Sequence, residues 1–373
     1  MAEKNNKKNK RSIILNAAMV AIVILIVILV LVLNGDIEVT LNTLAHAKLN
    51  WVLCAFITWV AFTLLDAFFM QAFFIQQGIR IAFYNNIFVS LIGMFYSNVT
   101  PAATGGQPMQ VLSLKRRGVN PGVSSSGVAI KFFCWQTALL FVGTVLWIAN
   151  PSALDLTSKP IFFIILGYLL NGAAVTVVLL LVIRPKVVER LVELILKLGK
   201  KLHLVRDVEA TRAKLENTIQ EFNASVEMIK EHPFQLIRLI LIEILQVIAL
   251  MSITYCVYRA VGLDEVRYVD ILTIQTLLYI AVSFFPLPGA AGAQEIGFSG
   301  FFKGIFGETT GAAMLLWRFF TYYIMIVLGL VGVLDDSVFA IRLRRKARND
   351  ASPVSSVRKG ESVEKEGSHH PDA

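Results

Sequence analysis

The chain has 373 residues, 56% of them hydrophobic and only 16% charged, with a mean hydropathy of +0.66. Those proportions exclude a water-soluble globular domain and make a bilayer the solvent, in which about 20 apolar residues form one crossing helix. The formal charge of +9 does not indicate a nucleic-acid partner, because the basic residues cluster at the edges of apolar runs, where the positive-inside rule puts them.

In chain order, residues 1–12 form a basic N-terminus (Lys4, Lys7, Lys8, Lys10, Arg11) expected in the cytoplasm. Residues 13–33 are an unbroken apolar run followed by Asn34, Gly35 and Asp36 rather than by a small-residue cleavage site, which reads as an uncleaved signal anchor. Further spans are predicted at 51–77, 123–149, 161–183, 233–258 and 310–334. The expected fold is therefore all-α, a polytopic bundle of about six full crossings occupying residues 13–340, with both termini cytoplasmic.

Two apolar segments fit no simple crossing. Residues 81–114 have Arg80 on one flank and Lys115, Arg116 and Arg117 on the other, with a break at Pro101, Gly105, Gly106 and Pro108. Both flanks belong on the cytoplasmic side, so a re-entrant hairpin is expected, its broken backbone buried in protein or lining a wet cavity. Residues 269–307 break at Pro286, Pro288, Gly289 and Gly292 and by the same count enter from the outer side. Two kinked helices in place of the hairpins would give eight crossings, but would strand the basic cluster at 115–117 outside. A pair of oppositely directed, interrupted segments is the pattern of a pseudo-symmetric transporter with a site near the midplane.

Residues 184–232 form the main water-facing insert, expected as a helical hairpin. Its first half, Lys186 to Lys201, is amphipathic and suited to the membrane surface. Its second half repeats Leu215, Ile219, Phe222, Val226 and Ile229 at spacings of four and three, for packing on a neighbouring helix. The polar tail, residues 341–373, is expected to be disordered. Cys54, Cys134 and Cys256 lie in apolar segments without ligand spacing, and no Walker loop, nucleophile elbow or metalloprotease motif occurs. No metal, cofactor or ATP-driven step is expected.

The first break reads Asn98-x-x-Pro101-x-x-x-Gly105-Gly106-x-Pro108 ahead of its basic cluster, and the second Pro286-x-Pro288-Gly289-x-x-Gly292-x-x-Glu295. Together they resemble the transmembrane part of the lysylphosphatidylglycerol synthase and flippase family, the multiple peptide resistance factor type, over most of residues 13–340. Ala290 stands where that family often has a second glycine. The resemblance implies a bacterial inner-membrane protein that moves or admits a phospholipid between leaflets, typically aminoacylated phosphatidylglycerol, with links to lipid metabolism and cationic-peptide resistance. The soluble aminoacyltransferase domain of the family's synthases is not expected here, so synthesis would fall to a separate partner enzyme. A homo-oligomer is the other partner the resemblance leaves room for.

The residues suggest a site independently of the resemblance. Glycines at a break admit a ligand close to backbone and helix-end N–H groups, which makes Gly105, Gly106, Gly289 and Gly292 candidates for an anionic headgroup, with polar Asn98 beside them. Their plain alternative is tight helix packing. The ionisable residues at membrane depth are Asp66, Lys131, Glu243, Glu295 and Arg318. Each is costly unless paired or wet. Lys131 and Arg318 suit a phosphate; Asp66, Glu243 and Glu295 suit an ammonium or a coupling proton, the plain alternative being that they pair among themselves. Glu295 differs in closing a motif at a helix start, where a carboxylate also favours the dipole. A second functional class, a membrane-embedded lipid-modifying transferase with Glu295 or Asp66 as general base, uses the same residues.

Overall fold

The computed structural model describes residues 37–157, 161–183, 208–283 and 285–350. The expected anchor at 13–33, the amphipathic stretch Lys186 to Lys201 and the tail beyond 350 lie outside them. All regular structure among the described residues is helical. In order these are α1 (Ile37–Ala45), α2 (Leu49–Gln76), α3 (Phe83–Val99), α4 (Gly106–Arg116), α5 (Pro121–Ala149) and α6 (Ile161–Ile183). There follow α7 (Val208–Glu231), α8 (Pro233–Ala260), α9 (Tyr268–Val282), α10 (Ala293–Phe306), α11 (Thr310–Arg318) and α12 (Ile324–Asp350).

Five helical stretches among the described residues are long and apolar enough to cross a bilayer: α2, α5, Ile161–Leu180 within α6, α8, and the composite stretch that ends in α12. They coincide with the five spans predicted beyond residue 50. Starts follow local chemistry: Pro121 and Pro233 occupy first helical positions, where a missing N–H costs nothing, and the Asn120 side chain accepts from the Gly122 amide at 2.9 Å. These helices are apolar on every side because protein covers one face and lipid the other; Ile57, Ile148, Phe162 and Leu169 all point outward. The last helix runs past the predicted end of its span, to Asp350, because Arg342 to Arg348 are good helix formers and no proline follows before Pro353.

Both interrupted segments double back. In the first, α4 returns along α3: Gln110 Nε2 donates to Val89 O at 3.5 Å, and Arg117 Nε to Asn85 Oδ1 at 3.2 Å. A Cβ on Gly106 would sit 2.8 Å from Gly93 O, so that glycine is what lets the two arms touch. In the second, α10 returns along α9, where a Cβ on Gly297 would meet Leu278 Cδ1 at 2.6 Å. Helix α5 shows that the two enter from opposite ends. Its start is joined to the first hairpin's base by Val119 N donating to Leu114 O at 3.0 Å. Its end is joined to the second's by Asn150 Nδ2 donating to Asp270 Oδ1 at 2.7 Å. The short turns Pro101–Ala103 and Pro288–Ala290, one at each tip, pack against one another.

Two apolar cores flank this meeting point. The larger packs Trp59, Phe62, Leu139, Val142 and Val247 with the second hairpin, where Phe298 stacks on Trp317 with ring centroids 4.9 Å apart. The other packs Phe69, Phe73, Ile130, Leu239 and Ile242 with the first hairpin and with Val226 and Ile229 of α7. The period-of-three-and-four stripe of α7 thus buries its later members against the bundle. Helices α2 and α8 run antiparallel through both cores, with Lys48 N donating to Ala260 O at 2.9 Å and the Cys54 and Cys256 sulfurs 3.4 Å apart.

The base of the first hairpin is tied to α12. Arg117, its side chain 1% exposed, donates to Asp335 at 2.6 Å and Asp336 at 2.8 Å, while Arg116 also pairs with Asp336. Ser113 Oγ donates to the same Asp336 at 2.8 Å. Asp336→Ala strips a buried network of its acceptor. It is expected to destabilise the protein by about 3 kcal/mol, read as an earlier thermal unfolding midpoint in detergent, whereas Asp336→Asn keeps part of that loss back.

Candidate functional site

Asp66 falls between Phe62 and Phe69, Lys131 between Ile130 and Leu139, and Glu243 between Ile242 and Val247. In each helix the charge sits at the seam where one apolar core gives way to the other. A cavity of about 300 Å³ opens at this seam. Its wall takes Asp66, Lys131, Glu243 and Gln246 from the crossing helices, Asn98, Ala102 and Gly106 from the first hairpin, Gly289, Ala290 and Gln294 from the second, and Arg318 from α11.

The charges are arranged in two groups. In one, Lys131 Nζ donates to both oxygens of Asp66 at 2.8 Å, and Gln246 Nε2 donates to Asp66 Oδ1 at 3.2 Å. Glu243, 1% exposed, stands beside them with neither carboxyl oxygen hydrogen-bonded among the described residues. In the other, Arg318 Nε donates to Glu295 Oε1 at 2.6 Å, and its two terminal nitrogens lie 3.4 and 3.3 Å from Gly289 O. The guanidinium also lies over the Tyr322 ring, 5.1 Å from its centroid. Arg318 immediately precedes a π-helical turn, Phe319–Tyr323, a wide turn of the kind often found at functional sites. Thr321 and Met325, from this turn and the start of α12, join Arg318 on the cavity wall.

Glu295 does two jobs with one carboxylate. It lies in the first turn of α10, where Oε2 accepts the Gly292 amide at 2.7 Å while Oε1 holds Arg318. It is fully buried behind Arg318 and reaches the cavity through it.

The structure thus brings Asp66, Lys131, Glu243, Arg318, Asn98, Gly106 and Gly289 to one wall, with Glu295 in contact behind them. Gly105 and Gly292 depart from expectation. Neither lines the cavity, and each amide is already engaged, Gly105 N by Thr100 Oγ1 at 2.9 Å and Gly292 N by Glu295. Each amide is held by a nearby side chain, which the spacing of the glycines does not reveal. Sequence reasoning missed Gln110, Gln246, Gln275 and Gln294, which also line the cavity. Their signal was available, since an amide side chain inside an apolar run demands a partner almost as a charge does.

The tip glycine Gly289 is required twice over. Its φ of +57° is left-handed, and a Cβ there would lie 2.2 Å from the Tyr322 ring. Ala290 shares the left-handed region at φ 48°, which explains why glycine would also suit that position.

The sequence that builds this site matches a known family. Residues 17–329 match the family described as the lysylphosphatidylglycerol synthase TM region. The chain belongs to that family. A UPF0104 membrane protein of Archaeoglobus fulgidus is 26% identical over 314 residues, covering 79% of this chain and 89% of the relative. One of Pyrococcus horikoshii is 23% identical over 316 residues, covering 80% and 91%. As a member of the lysylphosphatidylglycerol synthase TM family the chain is an integral membrane protein with a membrane-lipid-related role, and the match takes in both hairpins and every charged group of the cavity.

Two substitutions test the geometry. Gly289→Ala should cost about 1–3 kcal/mol of stability, with Tyr322→Leu in the same chain restoring the steric share, as followed by thermal unfolding in detergent. Lys131→Met alone, leaving Asp66 buried and unpaired, should cost about 3–5 kcal/mol, and Lys131→Met with Asp66→Leu much less. Equal losses in the single and double variants would contradict a direct pair.

Proposed function

We propose that the protein transfers a phospholipid between leaflets by accepting its headgroup into the cavity at the hairpin tips while the acyl chains stay in the bilayer. The observation that carries this reading is the meeting of two oppositely directed, broken hairpins beside a cavity that carries charged side chains at the seam of the apolar cores. Alternating access in such bundles needs a site reachable from either face by movement of one hairpin at a time. A volume of about 300 Å³ suits a headgroup but not a whole lipid.

The chemistry of the walls fits an anionic lipid. A phosphate entering the cavity meets the terminal nitrogens of Arg318, now held only by long contacts to Gly289 O, and can take two parallel hydrogen bonds from them. Glu295 keeps the guanidinium oriented through Nε and leaves its outer edge for the ligand. Asn98 and the tips around Gly106 and Gly289 stand beside Arg318 on the same wall. Family membership supports phosphatidylglycerol or its aminoacylated form as the cargo, and the basic residues flanking the apolar runs favour cytoplasmic termini in a cell membrane. A contribution to resistance against cationic peptides would follow from what such a lipid does to surface charge.

The test is movement of fluorescent phosphatidylglycerol in proteoliposomes, read by a quencher added to the outside. Wild type should equilibrate the leaflets far faster than protein-free vesicles. Arg318→Lys, which keeps the charge but not the fork, should slow this by on the order of tenfold, the equivalent of about one hydrogen bond to a charged group. Unchanged movement in that variant would remove Arg318 from the site, and no movement in wild type would remove the function.

A further inference from the structure

The cavity's charges do not balance, and the imbalance points to a second ligand. Five acidic or basic side chains stand in or directly behind its wall along the seam: Asp66, Lys131, Glu243, Glu295 and Arg318. Four are consumed in two ion pairs, Lys131 with Asp66 and Arg318 with Glu295. Glu243 is left over. It is as buried as the others, and both its oxygens lack a hydrogen-bond partner among the described residues.

We propose that Glu243 is a proton-binding site, protonated while the cavity is closed and dry, and releasing its proton to water when the cavity opens. An ionised carboxylate with no donor in an apolar seam costs several kcal/mol, and the neutral acid avoids most of that. The surroundings reinforce the choice. From α2 it faces Asp66, a like charge, and from α5 Lys131, whose ammonium is already bound to both Asp66 oxygens, and the thiol of Cys134. On its own helix Gln246 turns its Nε2 to Asp66, leaving its Oε1 without a donor. Gln275 and Tyr279 of α9 and Arg318 of α11 share the cavity wall, and Arg318 is occupied by Glu295. Helix α7 approaches α8 through the apolar cluster of Val226, Ile229, Leu239 and Ile242. Among the described residues on the cavity wall, both cations, Lys131 and Arg318, are already paired with other carboxylates.

The step is simple to balance. The O–H bond of the Glu243 carboxyl breaks, the electron pair stays on the carboxylate, and the proton passes to water admitted from one face. Reloading from the other face would tie headgroup transfer to a proton gradient; this coupling rests on the lipid-transfer reading, whereas the proton site itself does not.

Infrared difference spectra of the full-length protein in phosphatidylglycerol nanodiscs, titrated across neutral pH, test the site directly. A protonated-carboxyl band persisting at neutral pH is expected in wild type, lost in Glu243→Gln and kept in the exposed control Glu227→Gln. Glu243→Gln should fold as well as wild type, since it imitates the neutral acid, and Glu243→Asp should move the band rather than abolish it. Absence of the band in wild type, or its survival in Glu243→Gln, overturns the proposal. In proteoliposomes a one-unit pH difference should bias the leaflet distribution of fluorescent phosphatidylglycerol up to about tenfold, and Glu243→Gln should lose the bias. A wild-type distribution indifferent to the gradient overturns the coupling alone. A band that behaves as expected in a protein that moves no lipid upholds the proton site and overturns the transfer reading.

Discussion

A helix that breaks inside a bilayer exposes backbone N–H and C=O groups where no water can satisfy them, and this fold is organised around answering that deficit twice. Each break is closed by a short turn whose amides bond to nearby carbonyls, as Thr104 N does to Pro101 O at 3.2 Å and Ala291 N to Pro288 O at 3.1 Å. Side chains take what remains: Thr100 holds the Gly105 amide, Glu295 the Gly292 amide, and Arg318 reaches Gly289 O. The tips also pack against one another. Polarity is concentrated at the seam because that is where the backbone already requires it.

The buried charges follow from the same constraint. Glu295 satisfies an amide and must itself be neutralised, and Arg318 does this from the next helix; the ion pair is therefore partly a device for closing a break. The Asp66 and Lys131 pair, joining α2 to α5, has no such backbone duty. Pairs of this kind seldom add stability over an apolar replacement of equal volume, so their retention between two well-packed cores points to use rather than to support. Rings complete the arrangement, since Tyr322 packs where glycine leaves room and offers its face to the guanidinium.

Much of this was legible in the residues. Long apolar runs located the crossings, and prolines with glycines located both breaks, because nothing else tolerates those residues at that depth. The opposed entry of the hairpins could be read from where Arg80 and Lys115 to Arg117 lie. What could not be read was partnership across distance. Nothing local says that Lys131 meets Asp66 while Glu243 meets no donor among the described residues, since that depends on how three helices rotate against one another. Gly105 and Gly106 are neighbours, yet only Gly106 faces the cavity, because the turn at Ala102 and Ala103, with φ of 50° and 54°, sets which way the returning helix presents its first residue. Glutamines escaped notice because attention to charge passes over neutral amides.

The stretch from α11 to α12 has two attachments that are far apart along its length. Near its start Arg318 and Tyr322 grip the tip of one hairpin, and some way further on Asp335 and Asp336 grip the root of the other. The first grip is made at the π turn itself, which follows Arg318 and contains Tyr322. A single rod clasped in this manner ties the opposed halves into one linkage. Any twist or slide of the rod is delivered to both at once.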